Sequence, residues 1–195
     1  VTPCGSGEMV WHAWGSGRPL VLLHGGSGSW THWLRNIEPL VAAGRRVIAA
    51  DLPGFGDSAL PPTGSDADAL PAPLEAGLAQ MVGDAAVDVA GFSFGGMTAG
   101  LWAQRFPARV ARLVVVGAPG LGLFARRPVD LSPWRHLADE AERDAVHRAN
   151  LAALMLHDPA AVDDAARGAH NAHVVRDRMK GRTLARTDAL ARALQ

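Results

Sequence analysis

Four apolar runs constrain this chain more than anything else in it. Pro19 to Leu23 (PLVLL), Arg46 to Ala50 (RVIAA), Val87 to Ala90 (VDVA) and Arg112 to Val116 (RLVVV) are short and rich in branched residues, and turn-like residues bound them. A strand with one wet face alternates polar and apolar residues, whereas PLVLL does not alternate at all, as expected when both faces are covered. The segments between the runs have helical spacing. Trp30 to Ala43 carries apolar residues at Trp30, Trp33, Leu34, Ile37, Leu40 and Val41, broken by Pro39. Leu74 to Ala86 and Gly95 to Phe106 follow, the latter stopped by Pro107, while residues 59–73 read as a loop. Met9 to Trp14 reads as a short edge strand. Strand–helix alternation of this kind predicts the α/β class, with a mostly parallel sheet covered by helices on both sides.

The pattern changes after residue 118. From Pro119 to about Arg178 there is no strand-like run, only the amphipathic stretches Ala138 to Leu156 and Pro159 to His173. The expected organisation is therefore a core part over 1–118, a helical lid over 119–178 and a return helix within 179–195. Formal charge is zero, so nothing electrostatic favours nucleic acid or an anionic membrane as a partner. No apolar run approaches the roughly 18 residues that a membrane-spanning helix needs. Cys4 is the single cysteine, which excludes an internal disulfide and a thiolate metal cluster and is compatible with a reducing compartment. The expectation is a cytoplasmic protein.

Chemistry concentrates in two glycine-rich turns. Gly91-Phe92-Ser93-Phe94-Gly95-Gly96 joins a strand to a helix, so Ser93 is expected in a tight turn with its hydroxyl at a helix N-terminus. The backbone N–H of Phe94 then faces developing negative charge. His24-Gly25-Gly26 follows the strand Pro19 to Leu23, where a second oxyanion donor belongs. Gly26 is the first choice because it has no side chain in the way, and Ser27 is next. No Gly-Lys-Ser/Thr follows, so this is not a phosphate loop, and no Gly-x-Gly-x-x-Gly opens a helix. Neither a metal nor an organic cofactor is required. His24 is expected to brace its loop rather than act as a base.

Taken together, HGGSGSW at 24–30, DLPGFGDS at 51–58 and GFSFGG at 91–96 resemble the α/β-hydrolase family. The resemblance implies an α/β-hydrolase fold with a helical lid, and a purely structural role for the Asp51–Ser58 turn. The stretch WLRNIEPL at 33–40 is similar to the subfamily of carbon–carbon hydrolases that split meta-cleavage products of aromatic degradation. The chain departs from that subfamily at Phe92 and His32, where asparagines are usual, and near Ala169, where a substrate-binding arginine is usual and Arg167 is out of register. The first expectation is therefore a serine hydrolase of a small ester, lactone or related carbonyl substrate working through an acyl-enzyme. Carbon–carbon hydrolysis of a dienoic keto acid is the alternative, and a non-catalytic ligand- or partner-binding protein is a third reading. Trp30, Trp33, His32, Asn36 and Phe92 are candidates for the pocket wall.

In this family the triad acid and histidine follow the nucleophile, each after a later strand. Here His136, His147, His157, His170 and His173, and Asp158, Asp163, Asp164 and Asp177, all fall in the expected lid and read as surface or pocket-lining groups. The resemblance thus implies a chain without its C-terminal strands, acid and histidine. The expectation drawn from it is a second polypeptide that supplies them, or a fragment, with homo-oligomerisation left open.

Overall fold

The computed structural model describes residues 1–123, 129, 131–156 and 158–195. They form two compact units, one of Val1–Leu123 with Arg176–Gln195 and the other of Phe124–Val175.

Among the described residues, every strand lies in the first unit: β1 (Thr2–Cys4), β2 (Gly7–Met9), β3 (Trp11–Trp14), β4 (Arg18–Leu23), β5 (Arg45–Ala50), β6 (Val87–Phe92) and β7 (Val110–Val116). Its helices are α1 (Leu34–Ala42), α2 (Pro71–Val82) and α3 (Phe94–Arg105). The main sheet has the order β3-β5-β4-β6-β7; β3 runs antiparallel to β5 and the other pairings are parallel. In the middle of the sheet Leu23 of β4 lies level with Ala50 of β5 and Gly91 of β6.

Strand periodicity sorts the core into two layers. Val21, Leu23, Ile48, Ala50, Val87 and Val89 face the helices α2 and α3, where Leu74, Leu78, Met97 and Trp102 are fully buried. Leu22, Val47 and Ala49 face the other way and pack with Ile37, Trp14, Trp30 and Trp33. Asp88 stands buried near the start of β6, where Arg45 and Arg18 reach it at 2.5 and 2.9 Å.

Several local expectations shift. The single strand Met9 to Trp14 divides, because β2 pairs with β1 across a turn at Gly5 while β3 joins the main sheet. The break is at Val10, whose N–H donates to Ser58 Oγ at 2.8 Å instead of to a neighbouring strand. Trp30 to Ala43 divides into a 3-10 turn, Trp30–Trp33, and α1, which carries Pro39 inside it. Residues 59–73 are not all loop: Asp66 caps a 3-10 turn at Ala67–Ala69, and α2 starts at Pro71.

The expectation of missing C-terminal strands and of a second polypeptide is corrected by how the return segment packs. Thr183 to Leu194 forms a 3-10 turn, Leu184–Arg186, and a later short helix (Ala189–Ala193), not one continuous helix. Leu190 is fully buried against Gly100 of α3, and Gly120 O accepts from the N–H groups of Leu190 and Ala191 at 2.8 and 3.1 Å. Earlier in the segment, Met179 fills the space over Gly54. This face of α3 is therefore closed from within the chain, and the first unit builds its core without a partner's residues.

The second unit is a pair of helices, α4 (Glu140–Leu154) and α5 (Asp164–Val174), with α6 denoting the later Ala189–Ala193 helix of the first unit. Asp139 caps α4 through Glu142 N–H, and Asp163 caps α5 through Ala166 N–H. Asp144 ties the two helices by accepting from Arg167 Nη1 at 2.6 Å and Asn171 Nδ2 at 2.7 Å. A cavity of about 800 Å³ lies here, lined in part by Trp134, Asp144, His147, Arg167 and Asn171. His157 lies outside the described residues. Among the described residues, no helix is long and apolar enough to cross a membrane.

Candidate active site

Connections from β4 leave in opposite directions, through α1 to β5 on one side and later to β6 on the other. The order β5-β4-β6 therefore opens a crevice at the carboxyl ends of β4 and β6, where open α/β sheets bind ligands. The two glycine turns occupy those ends.

Ser93 has φ +52° and ψ −118°, a backbone conformation that a residue with a side chain adopts only when its surroundings enforce it. The enforcement is visible. Ser93 N–H donates to Val116 O at 2.8 Å, and Ser93 O accepts from Gly96 and Met97 N–H at 2.9 and 3.1 Å, opening α3. Glycine is required beside it on both sides. A methyl on Gly95 would strike the carbonyl oxygens of Leu23 and His24, and one on Gly91 would meet Gly95 O and, at 2.6 Å, Gly96 Cα.

The β4 turn lies against this elbow. A Cβ on Gly25 would be 2.9 Å from the Phe92 ring and 3.3 Å from Ser93 Cβ, and one on Gly26 would be 3.8 Å from Phe94 Cβ. His24 is fully buried. Its Nε2 accepts from Leu52 N–H at 2.9 Å, so Nδ1 carries the proton and donates to Gly25 O at 2.7 Å. Both ring nitrogens thus hold backbone. Asp51 and Ser58 are equally committed. Asp51 accepts from Trp30 and Asp57 N–H, and Ser58 Oγ donates to Asp51 O at 2.6 Å.

Of the residues proposed from sequence, the structure gathers Ser93, Phe92, Phe94, Gly26, Ser27 and His32. His32 Nδ1 accepts from Gly25 N–H at 3.3 Å, and its ring meets Phe92 edge-on at 5.9 Å. Trp30 and Trp33 are not brought to the elbow. They belong to the second core layer, where Trp30 stacks on His12 at 4.5 Å. Asn36 is exposed on α1. Two neighbours of the loop were missed. Asp177, read as a lid acid, belongs to the first unit and accepts from Ser27 Oγ at 2.5 Å, and Arg182 packs against Gly26. Their contacts span some 150 residues of sequence, and no local pattern signals them.

Of the other histidines named from sequence, His147, His170 and His173 lie near one another in the second unit. The His147 ring lies 4.6 Å from Trp134 and 5.5 Å from His170. Burial, with His147 and His173 nearby, pushes the pKa of His170 down to about 4. Burial also lowers that of His147, against the pull of Asp144. No group of three or more His, Cys, Asp or Glu among the described residues is arranged to hold a metal ion.

A family profile described as alpha/beta hydrolase fold matches residues 18–157. The chain is 36% identical over 121 residues to the 2-hydroxy-6-oxo-6-phenylhexa-2,4-dienoate hydrolase of Comamonas testosteroni, an alignment covering 60% of this chain and 42% of that protein. It is 39% identical over 123 residues to the 2-hydroxy-6-oxo-2,4-heptadienoate hydrolase of Pseudomonas putida, covering 58% and 42%. The chain thus spans less than half the length of these curated relatives. Among solved structures, Cfl2 of Burkholderia cenocepacia aligns with 98% of this chain and 71% of its own, at TM-score 0.70 and 28% identity. A meta-cleavage product hydrolase of Pseudomonas fluorescens IP01 (CumD) aligns with 93% of this chain and 68% of its own, at TM-score 0.72 and 25% identity. That nearly all of this chain superposes on known folds also counts against the expectation that its sheet needs strands from a second polypeptide. The chain belongs to the alpha/beta hydrolase fold family.

Proposed function

We propose that this protein is a serine hydrolase that splits a carbon–carbon bond in a dienoic keto acid of the meta-cleavage type. The observation that carries the proposal is Ser93 held at φ +52° at the start of α3, directly against the Gly25–Gly26 turn. A hydroxyl presented this way attacks a carbonyl carbon while backbone N–H groups wait for the oxygen that becomes negative. Phe94 and Gly26 supply those N–H groups, with Ser27 the next candidate. Phe92 and His32 form the adjoining wall.

Attack by Ser93 Oγ makes a tetrahedral intermediate. Its collapse breaks the bond to the neighbouring carbon, which leaves with the electron pair and takes up a proton in place of the one Ser93 Oγ gave up, and water then releases the acyl group as a carboxylic acid and restores the serine hydroxyl. The leaving carbon is a viable carbanion only after the dienol has become a ketone, so ketonisation precedes the attack. The relatives support this chemistry over the ester or lactone hydrolysis first expected, since they are named as hydrolases of 2-hydroxy-6-oxo dienoates.

The test uses a fluorophosphonate probe and a substrate panel. The expected result is labelling that Ser93→Ala abolishes, with turnover of a vinylogous 1,5-diketone acid falling on the order of a millionfold in the same variant. Turnover of p-nitrophenyl esters alone would return the protein to the ester reading. Labelling that persists in Ser93→Ala would end the serine mechanism.

A further inference from the structure

Among the described residues, Ser27 and Ser93 are the two that carry a side chain at positive φ, +54° and +52°. The elbow between β6 and α3 accounts for Ser93. Ser27 has no such frame, and a serine keeps this conformation only where its surroundings over-determine it. The hold comes from the far end of the chain. Ser27 Oγ donates to Asp177 Oδ2 at 2.5 Å, and a hydrogen bond to an ionised acceptor is among the stronger ones.

Asp177 is in turn a fixed point. It is buried, its Oδ1 accepts from Met179 N–H at 3.1 Å, and its Oδ2 also accepts from Arg182 Nη2 at 2.7 Å. The segment around it is clipped on both sides. Arg178 N–H donates to Gly54 O at 2.9 Å, and the N–H groups of Thr183 and Leu184 donate to Asp66 Oδ2 at 2.5 and 2.9 Å. The other end of the glycine turn has its own ties: His24 Nδ1 donates to Gly25 O at 2.7 Å, and Gly25 N–H donates to His32 Nδ1 at 3.3 Å. Gly26 lies between the two holds. Arg182 Nη1 closes one side of it, near enough that a Cβ built on Gly26 would be 2.5 Å away.

We propose that Asp177 is a positioning residue, which through the Ser27 hydroxyl holds the turn at positive φ and so aims its N–H groups at the oxygen carried beside Ser93. Without that bond Ser27 relaxes toward negative φ. The peptide plane between Gly26 and Ser27 then turns, which re-aims the Ser27 N–H and displaces Gly26. The inference rests on the hydrolase reading for the use made of those N–H groups, but not for the hold itself.

NMR of the isotope-labelled chain reads the hold without any turnover. Wild-type Ser27 should show the strong intraresidue HN–Hα cross-peak of a positive-φ residue, and the peak should weaken in Asp177→Ala. Residue 27 should show the same weakening in Ser27→Ala. Fluorophosphonate labelling of Ser93 reads the consequence. Both variants should label about tenfold more slowly than wild type, less than the hundredfold or more that a lost oxyanion donor costs. Ser27→Gly reaches positive φ without a hold, so it should recover most of what Ser27→Ala loses. With the dienoate substrate the loss should fall on kcat and leave KM near its wild-type value. Circular dichroism checks the fold, and if Asp177→Ala does not fold, the two Ser27 variants leave the Asp177–Arg182 pair in place and decide alone. An unchanged cross-peak in folded Asp177→Ala, or equal slowing in Ser27→Ala and Ser27→Gly, would overturn the proposal. A wild type that does not label would sink the hydrolase reading while the cross-peak still decides the hold, so the two failures are distinguishable.

Discussion

The two units of this protein are specified by different physics. In the first, the site is made by backbone: Ser93 and Ser27 both have positive φ, held by glycines whose hydrogens leave no room for a methyl. Its central strands β4, β5 and β6 are largely buried on both faces, and its buried carboxylates at Asp51, Asp66, Asp88 and Asp177 all have partners. The second unit depends on side-chain charge instead. Asp144 joins its helices, and two of its buried polar atoms, His147 Nδ1 and Asn171 Oδ1, have no hydrogen-bond partner among the described residues, against one, Trp33 Nε1, in the larger first unit. An unsatisfied buried polar group costs about 1–3 kcal/mol. The lesson is that the first unit should tolerate pH and fail on steric change, while the second should do the reverse.

The sharpest attempt to break this contrast is Gly95→Ala. Its methyl meets two backbone oxygens that cannot swing aside, so a loss of about 3 kcal/mol or more is expected in urea unfolding. A neutral result would mean that the elbow is not held by backbone contact. Asp88→Asn tests the one charge cluster within the sheet and should cost about 2 kcal/mol, reduced by solvent around the half-exposed Arg18. Burial raises the pKa of Asp88, but Arg45 and Arg18 outweigh it and leave the value below its usual 3.8. The stabilisation is therefore present above pH 3.8 and lost below it, where wild type and variant should converge.

A smaller effect should appear in the second unit on mild acidification. His170 has its pKa lowered from 6.5 to about 4, so the unfolded chain binds the proton first and stability falls as pH drops from 6.5 toward 4. Hydrogen exchange in α4 and α5 should accelerate over that window, and His170→Gln should flatten the response. If the amides of β4 and β6 accelerate in parallel, the contrast between units fails. The smallest expected effect is that of His147→Phe, which removes an unpaired buried nitrogen beside Trp134. Stability within about 1 kcal/mol of wild type, or slightly above it, is the anticipated outcome in the same unfolding assay.

What could be read from sequence follows the range of the interactions involved. β4, β5 and β6 were legible because burial on both faces leaves continuous apolar runs, and the elbow because Gly91 and Gly95 are local requirements of a tight turn. The β1–β2 hairpin was not legible, since three-residue strands around Gly5 are too short for a period to show. Helical spacing identified Trp30 and Trp33 as apolar but could not say which sheet face they cover, so their packing on the second core layer was not legible. Asp177 and Arg182 were invisible for another reason. Their roles exist only once the return segment meets a loop formed far earlier in the chain, and the missing strands inferred from family pattern gave no sign of how Leu190 would bury itself on α3.

The pairing of Leu23 with Gly91 has a consequence for how the protein can fail. Ser93 stands two residues beyond one partner and Gly25 two residues beyond the other, so the sheet acts as the ruler that sets Ser93 against the Gly25–Gly26 turn. A slip of one residue between β4 and β6 would offset the two by about 3.3 Å, roughly a hydrogen bond's length. On the proposed function, misregistered molecules would therefore be catalytically silent even where they remain compact, and the yield of active protein after refolding would measure strand alignment as much as folding itself.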